Sequence, residues 1–506
     1  MRMTNKIMQN NSLYNINNNK VLQDKLSTQM STQKKITRPS DDPVIAIRAL
    51  RLRTSVSELT QFYEKNAPDA ESWLTVTEKA LGTGAEVITD IVKQATKGAN
   101  KDLTVDDLVI ITQQITNLRD EFYSTGNVDY AGRYVFTGYR TDTTLSFTEE
   151  VEGLNPQPKY SIIEQLVIGD FDTVTHVETS ALDGLNKNNY TEAQYGEAQL
   201  TEQKIAKSEI HRIRLAYDDT SKDTAPTITY GGNTINTTIG TQGQIPGEDE
   251  AIYIPETGEI LWGNNIYQQM EGAVETDTEI RITYEKTAWK DGDLRPEHYF
   301  ACTATTKNED GTDKVVDYNQ EYLQGREESQ VIEYDVGYNQ KIRVNTTARE
   351  AFTHDLDRDV DDLQTAMEKL KEINATVADL KTVMSGMTET DPNYELVQNQ
   401  LDAANKAFDY VRENIHNIFE GTITKMQSHL NATNLAVTDN GTRSSRLALV
   451  SNRLMEQKTT FQTLQSENED VDISEVAIQL TSTELTYEAA LMATGKIMQT
   501  SLMNYI

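Results

Sequence analysis

Apolar positions follow a helical period over both ends of the chain and a strand period in its middle. Met3, Ile7, Tyr14, Val21, Leu22, Leu26 and Met30 form one stripe at helical spacing. Much of the remainder of that segment is Asn, a mediocre helix former, so the helix needs a partner surface for stability. It is expected to stop near Thr37-Arg38-Pro39. A second helical stretch, about 43–97, opens at Pro43 with Ser40 or Asp42 as its cap and breaks or kinks at Asn66-Ala67-Pro68. A third, about 104–124, runs from a Thr104 cap to Gly126, and Arg133-Tyr134-Val135-Phe136 reads as a strand.

The period changes beyond residue 150. Ala251–Ile254 and Glu259–Trp262 flank a turn and predict a hairpin, and Glu279–Tyr284 alternates. Val331–Val336 and Lys341–Val344 flank a turn through Gly337 and Asn339. One helical island is expected at about 192–216. Helix then returns, at about 349–385 and 392–437, with a local break at Asn440-Gly441 before Arg443–Leu464. In the last helix, about 473–504, the stripe Ile473, Val476, Leu480, Tyr487, Leu491, Met498 and Leu502 has the spacing of a seam for partner helices. The pattern predicts an α+β multi-domain chain: a long antiparallel helical bundle or coiled coil from both termini, with an inserted mainly-β outer domain. The expected segments are 1–40, a terminal helix; 41–148, helical with a strand; 149–330, the β insertion; 331–466, return strands and helix; and 467–506, a second terminal helix. Because the helical layers carry their own stripes, the insertion is expected to fold apart from them.

Composition narrows the function. The chain has 506 residues, with 47 Lys+Arg against 79 Asp+Glu and a formal net charge of −32. Such a charge repels nucleic acid and anionic lipid, so neither is an expected partner. No run of about 18 apolar residues marks a membrane span. Met1 to Lys20 carries Asn and Gln where a secretory signal would carry its apolar stretch. Cys302 is the single cysteine, which excludes an intramolecular disulfide. Charge is also distributed unevenly. Residues 1–40 hold Arg2, Lys6, Lys20, Lys25, Lys34, Lys35 and Arg38 against Asp24. Residues 467–506 hold Glu467, Glu469, Asp470, Asp472, Glu475, Glu484 and Glu488 against Lys496. Two amphipathic terminal helices of opposite charge are suited to pair.

Catalytic or metal-binding patterns are not evident. The six histidines show no metal spacing. Asp357, Asp359 and Asp361 with Glu368 imitate a calcium loop, but Asp362 stands where that loop needs Gly, and a solvated helix face explains the acids at lower cost. Gly231-Gly232 and Gly240–Gly243 lack the Lys-Ser/Thr of a phosphate loop and are expected to be turns. No enzyme signature and no cofactor site are found.

The segment Met30–Pro43, with Lys34-Lys35-Ile36-Thr37-Arg38-Pro39-Ser40-Asp41-Asp42-Pro43 at its end, resembles the N-terminal motif of the flagellar hook-associated protein 3 family, hook–filament junction proteins of the flagellin-like superfamily. Gly132–Tyr139, Ile332–Gly337 with Ile342–Asn345, Gly441–Arg443 with Arg446-Leu447 and Asn452–Leu454, and Gln499–Ile506 resemble later motifs in the same order. Gln33 departs from the pattern, which often has Gly. The resemblance implies an extracellular structural subunit, not an enzyme, that joins hook to filament, supports filament polymerisation and is needed for motility. It implies coaxial layers with the terminal helices innermost, and export through the flagellar type III route without a cleaved signal. Implied partners are further copies in a ring or helical homo-oligomer, another hook-associated junction protein, flagellin, and an export chaperone at the C-terminal helix. Implied interface residues are Leu22, Leu26, Met30, Ile473, Val476, Leu480, Tyr487, Leu491, Met498 and Leu502. Implied motif residues are Pro39, Ser40, Asp41, Asp42, Pro43, Arg133, Arg443 and Arg446. A flagellin-type filament subunit is the alternative. An added adhesin or glycan-binding role for the β region would rest on aromatics such as Tyr253, Trp262, Tyr284 and Trp289, although packing within strands explains them as well.

Overall fold

A computed structural model describes residues 5–166, 171–195, 200–230, 233–272, 279–308, 311–324 and 330–503. In chain order the helices are α1 (Asn5–Thr32), α2 (Pro43–Gln61), α3 (Ala67–Gly98), α4 (Val105–Thr125), α5 (Asn264–Gly272), α6 (Ala348–Ala351), α7 (His354–Ser385), α8 (Tyr394–Glu469) and α9 (Ile473–Met503). The strands are β1 (Asp129–Tyr130), β2 (Arg133–Tyr134), β3 (Lys159–Leu166), β4 (Asp172–Val177), β5 (Lys207–Arg214), β6 (Thr227–Tyr230), β7 (Asn233–Ile235), β8 (Thr238–Ile239), β9 (Ala251–Ile254), β10 (Glu259–Trp262), β11 (Ile280–Lys286), β12 (Ala301–Lys307), β13 (Asp313–Tyr318), β14 (Glu333–Gly337) and β15 (Gln340–Arg343). The chain is α+β, with long helices towards both ends and a multi-sheet β region between them.

Local chemistry sets most helix ends. Asp42 caps α2 by accepting from Val44 N at 2.9 Å and Ile45 N at 3.1 Å, and Pro43 occupies the first turn. Thr104 and Asp107 form a reciprocal capping box on α4. Between α2 and α3 the expected break is a π-helical turn, Phe62–Asn66, placed just before Pro68. Pro68 lacks the N–H that would bond back one turn, and the wider turn lets the helical path continue past it.

Five readings of the pattern need correction. The island at 192–216 is no α-helix where it is described: Ala193–Tyr195 and Glu202–Lys204 are single 3-10 turns, residues 196–199 lie outside the described residues, and residues 207–214 are β5, paired with β4 on one side and β10 on the other. The backbone groups of that segment are satisfied by two ladders, which outweigh its local spacing. No break occurs at Asn440-Gly441, because α8 runs through it. Asn440 is fully buried and its side-chain N–H donates to Leu74 O at 2.9 Å, so tertiary packing offsets the roughly 1 kcal/mol that Gly costs a helix. The helix expected at 349–385 is two, α6 and α7, broken at Phe352, whose ring packs on Phe122 and Phe136. The strand expected at 133–136 is confined to Arg133–Tyr134; Val135 and Phe136 turn fully into the core. Finally, α1 ends at Thr32, where Gln33 takes a φ of 57°.

The described chain forms two compact units. The first lies within Met1–Glu71, Tyr334–Ile342 and Ser445–Ile506. It holds α1, α2, most of the β14–β15 hairpin, the last part of α8, and α9. The hairpin turns at Asn339, which takes a φ of 56°. Its Tyr338 packs edge-on against Phe62 at 5.6 Å and donates to Glu58.

The second unit comprises Ser72–Glu333 and Arg343–Ser444. Its six-stranded sheet has the order β13-β12-β3-β11-β6-β7 and its five-stranded sheet β4-β5-β10-β9-β8. The predicted hairpin is β9–β10, with Ile254 opposite Glu259. Its turn needs Gly258, at φ 60°, where a Cβ would lie 1.9 Å from Tyr217 O. The described part of residues 149–330 shares a core with α7. His354 of α7 sits between Tyr217 and Tyr299, and Arg212 and Arg214 of β5 bind Asp359 and Asp362 of α7. The expectation that the β region folds apart from the helices therefore fails within this unit. The Gly240–Gly243 segment is a turn, while Gly231-Gly232 lies outside the described residues.

Candidate assembly interface of the terminal helices

The two linkers at the base of α1 and α9 run antiparallel and bond to each other. Lys35 N donates to Glu469 O at 2.7 Å, and Val471 N donates to Gln33 O at 3.1 Å. Glu469 is buried at this crossing. Arg53 binds it with both ends of its fork, Nε to Oε1 at 2.7 Å and Nη2 to Oε2 at 2.5 Å. Lys34 reaches Asp470 at 2.5 Å and Glu469 at 3.6 Å. The Arg53 hydrogen bonds hold the Glu469 carboxyl below its ordinary range.

From this clasp α1 and α9 run side by side. Gln23 lies beside Glu484 and Lys34 beside Asp470, which fixes an antiparallel register. The facing positions step by three and four: Ser12, Ile16, Asn19, Gln23 and Leu26 on α1, and Val476, Leu480, Thr483, Tyr487, Ala490 and Thr494 on α9. Leu26, Val476, Thr483 and Thr494 are buried and the rest half-buried. About half of this seam is polar.

Of the residues expected at the interface, Leu26, Val476, Leu480 and Tyr487 lie in the seam. Leu22, Met30, Ile473 and Leu491 are exposed. Met498 and Leu502 fall on the backbone of α9, with side chains outside the described residues. Sequence reasoning missed a second stripe on α9: Ile478, Leu485 and Met492, each seven residues apart and 71%, 64% and 68% exposed. Ile7, Tyr14 and Val21 make a matching exposed stripe on α1 at the same spacing. That sevenfold repeat was legible, but it could not be told from the seam without the register. The expected charge pairing is concentrated at the clasp. Among the described residues Lys20, Lys25, Glu484 and Glu488 enter no ion pair.

The motif residues act locally. Asp41 accepts from Arg38 N at 2.9 Å and Thr37 N at 3.1 Å, and these backbone bonds lower its pKa. Pro39 and Ser40 form the exposed turn that Asp41 closes, ahead of Asp42 and Pro43 at the start of α2. Arg133 lies 5.0 Å from the Trp73 ring centre and 5.8 Å from that of Tyr130. Arg443 donates to Asn345 O at 2.8 Å and pairs with Asp439. Arg446 is exposed. The acids that imitate a calcium loop are taken up by cations: Asp359 by Arg214, Lys425 and His429, and Asp361 by Arg119 and Arg358. No cluster suited to a metal ion occurs among the described residues. The aromatic rings considered for a glycan site, Tyr253, Trp262, Tyr284 and Trp289, are all buried. No described helix is long and apolar enough to cross a membrane.

Residues 3–141 match the bacterial flagellin N-terminal helical region. Over 189 residues, 37% of the chain, the sequence is 28% identical to flagellar hook-associated protein 3 of Escherichia coli (strain K12). It is 26% identical over the same length to flagellar hook-associated protein 3 of Salmonella typhimurium (strain LT2). The match spans 59% of each of these relatives. Among solved structures, the flagellar junction protein FlgL from Legionella pneumophila aligns over 79% of this chain and 99% of its own, at 11% identity and a TM-score of 0.28. The chain is thus similar to the bacterial flagellin N-terminal helical region over residues 3–141 and, over 189 residues, to flagellar hook-associated protein 3.

Proposed function

We propose that the chain is a structural subunit of the bacterial flagellum that joins hook to filament and seeds filament polymerisation. The observation that carries this reading is the sequence match to flagellar hook-associated protein 3. The terminal helices support it independently. An isolated α1·α9 pair spends polar residues on its own seam and leaves apolar heptads facing outward, an arrangement suited to further helices rather than to water. In this reading segments 1–40 and 467–506 form the innermost layer. The partners are further copies of the chain, another hook-associated junction protein and flagellin, and an export chaperone covers the exposed face of α9 before assembly. The protein acts outside the cell, having left by the flagellar export route. It performs no catalysis and holds no cofactor.

Deleting the coding sequence tests the reading. The expected strain retains hooks, lacks filaments, releases unpolymerised flagellin into the medium and is non-motile; expression of the intact chain restores swimming. A deletion strain with normal filaments would contradict the proposal. Loss of the filament together with its flagellin would favour a filament subunit instead.

A further inference from the structure

We propose that neighbouring copies meet heterologously, with the outward face of α1 in one copy against the outward face of α9 in the next. This inference rests on the reading that the chain assembles with copies of itself. Six exposed apolar residues carry it: Ile7, Tyr14 and Val21 on α1, and Ile478, Leu485 and Met492 on α9. Both sets repeat every seven residues, as knobs of a helix–helix contact do. Both lie away from the seam that joins α1 to α9 within one copy, and all six side chains are exposed among the described residues.

The occupant follows from register and charge. Gln23 is level with Glu484 and Lys34 with Asp470. Continuing that register puts Val21 level with Leu485 and Tyr14 level with Met492. A neighbour rotated about a common axis therefore brings Val21 to Leu485 and Tyr14 to Met492 at the same height, with Ile7 and Ile478 extending the two faces beyond the paired positions. The flanking charges favour that pairing. Lys20 and Lys25 border the α1 stripe, and Glu484 and Glu488 border that of α9; among the described residues none of the four is in an ion pair. Pairing α1 with α1 would oppose lysines, and pairing α9 with α9 would oppose glutamates. Two different faces that fit each other, and not themselves, give a contact that propagates into a ring or a helix instead of closing as a dimer.

The test uses two differently tagged full-length copies, one Val21→Cys and the other Leu485→Cys, co-expressed in flagellated cells in place of the native chain. Isolated flagella are treated with a short bis-maleimide. Cys302 is buried and does not compete. The expected main product is a dimer that joins the two tags and disappears when either new cysteine is changed to Ser. Tyr14→Cys with Met492→Cys, one heptad further along, should give the same product. Main dimers between two copies of the same tag would overturn the proposal in favour of a symmetric contact. Tagged copies present in the flagella without a mixed dimer from either pair would overturn the assignment of faces while leaving self-assembly intact. Absence of even the native chain from flagella would overturn the structural-subunit reading, and this inference with it.

Discussion

Gln33 holds a φ of 57°, in the left-handed region that Gly enters without cost and a side chain does not. The same residue's carbonyl accepts from Val471 N, so this backbone must stay in place for the clasp to close. Gln33→Gly, which restores the residue usual in the motif, should stabilise the clasp by about 1 kcal/mol. Slower hydrogen exchange at Lys35 N and Val471 N is the expected readout, and faster exchange would contradict it. Glu469 works from the opposite side. Glu469→Gln keeps the shape, loses the charge bound by Arg53, and should speed exchange at the same amides. Because Arg53 holds the Glu469 carboxyl below its ordinary range, the stability it supplies is present above about pH 4.5 and lost as pH falls further. The cap by Asp42 was legible because its partners are two and three residues away. The Arg53–Glu469 pair spans 416 positions and could not be found by spacing.

At the scale of elements, period identifies a helix more surely than it identifies the face that is buried. The α9 stripe drawn from sequence mixed seam residues, Val476, Leu480 and Tyr487, with exposed ones, Ile473 and Leu491. Separating the two sets takes the register that the clasp imposes. This separation gives opposite expectations for one kind of substitution. Leu480→Asp puts a carboxylate into the α1·α9 seam, and should free α9 for early proteolysis in the monomer. Leu485→Asp lies on the outward face and should leave monomer proteolysis unchanged while abolishing incorporation into flagella. Equal proteolysis of the two variants would contradict the assignment of faces. A similar lesson comes from β5, where two strand neighbours decided the conformation, and from α8, where burial of Asn440 carried the helix across a local break signal.

At the scale of the whole molecule, the β region and part of the helical region are bound by chemistry that spacing does not reveal. His354 is enclosed by Tyr217, Tyr299 and Phe300, and burial, reinforced by Arg358, depresses its pKa to about 3. The unfolded chain takes up that proton near pH 6.5 and the folded chain does not. The contribution to stability is therefore full above pH 6.5 and falls by up to about 1.4 kcal/mol per pH unit between 6.5 and 3. His354→Phe should flatten the acid limb of a thermal-unfolding profile; an unchanged limb would contradict this. Glu164 has the opposite sign. Burial lifts its pKa to about 7 despite bonds from Tyr284 and Ala216 N, so it destabilises as pH rises from 4.5 towards 7. Glu164→Gln should raise the melting temperature at pH 8 more than at pH 5. Replacing 150–328 by a short linker would strip Asp359 and Asp362 of Arg214 and Arg212, and a poorly folded product is expected in place of a soluble helical one. The α+β layout and the terminal helices were legible in the sequence because they rest on long periodic segments, whereas this shared core depends on residues from 52 to 150 positions apart. The central claim, a subunit at the joint between hook and filament, is tested most directly by immunogold labelling of isolated flagella with antibody against this chain. The account predicts a narrow band of gold at the hook–filament boundary; label distributed along the whole filament, or none on the flagellum, would contradict it.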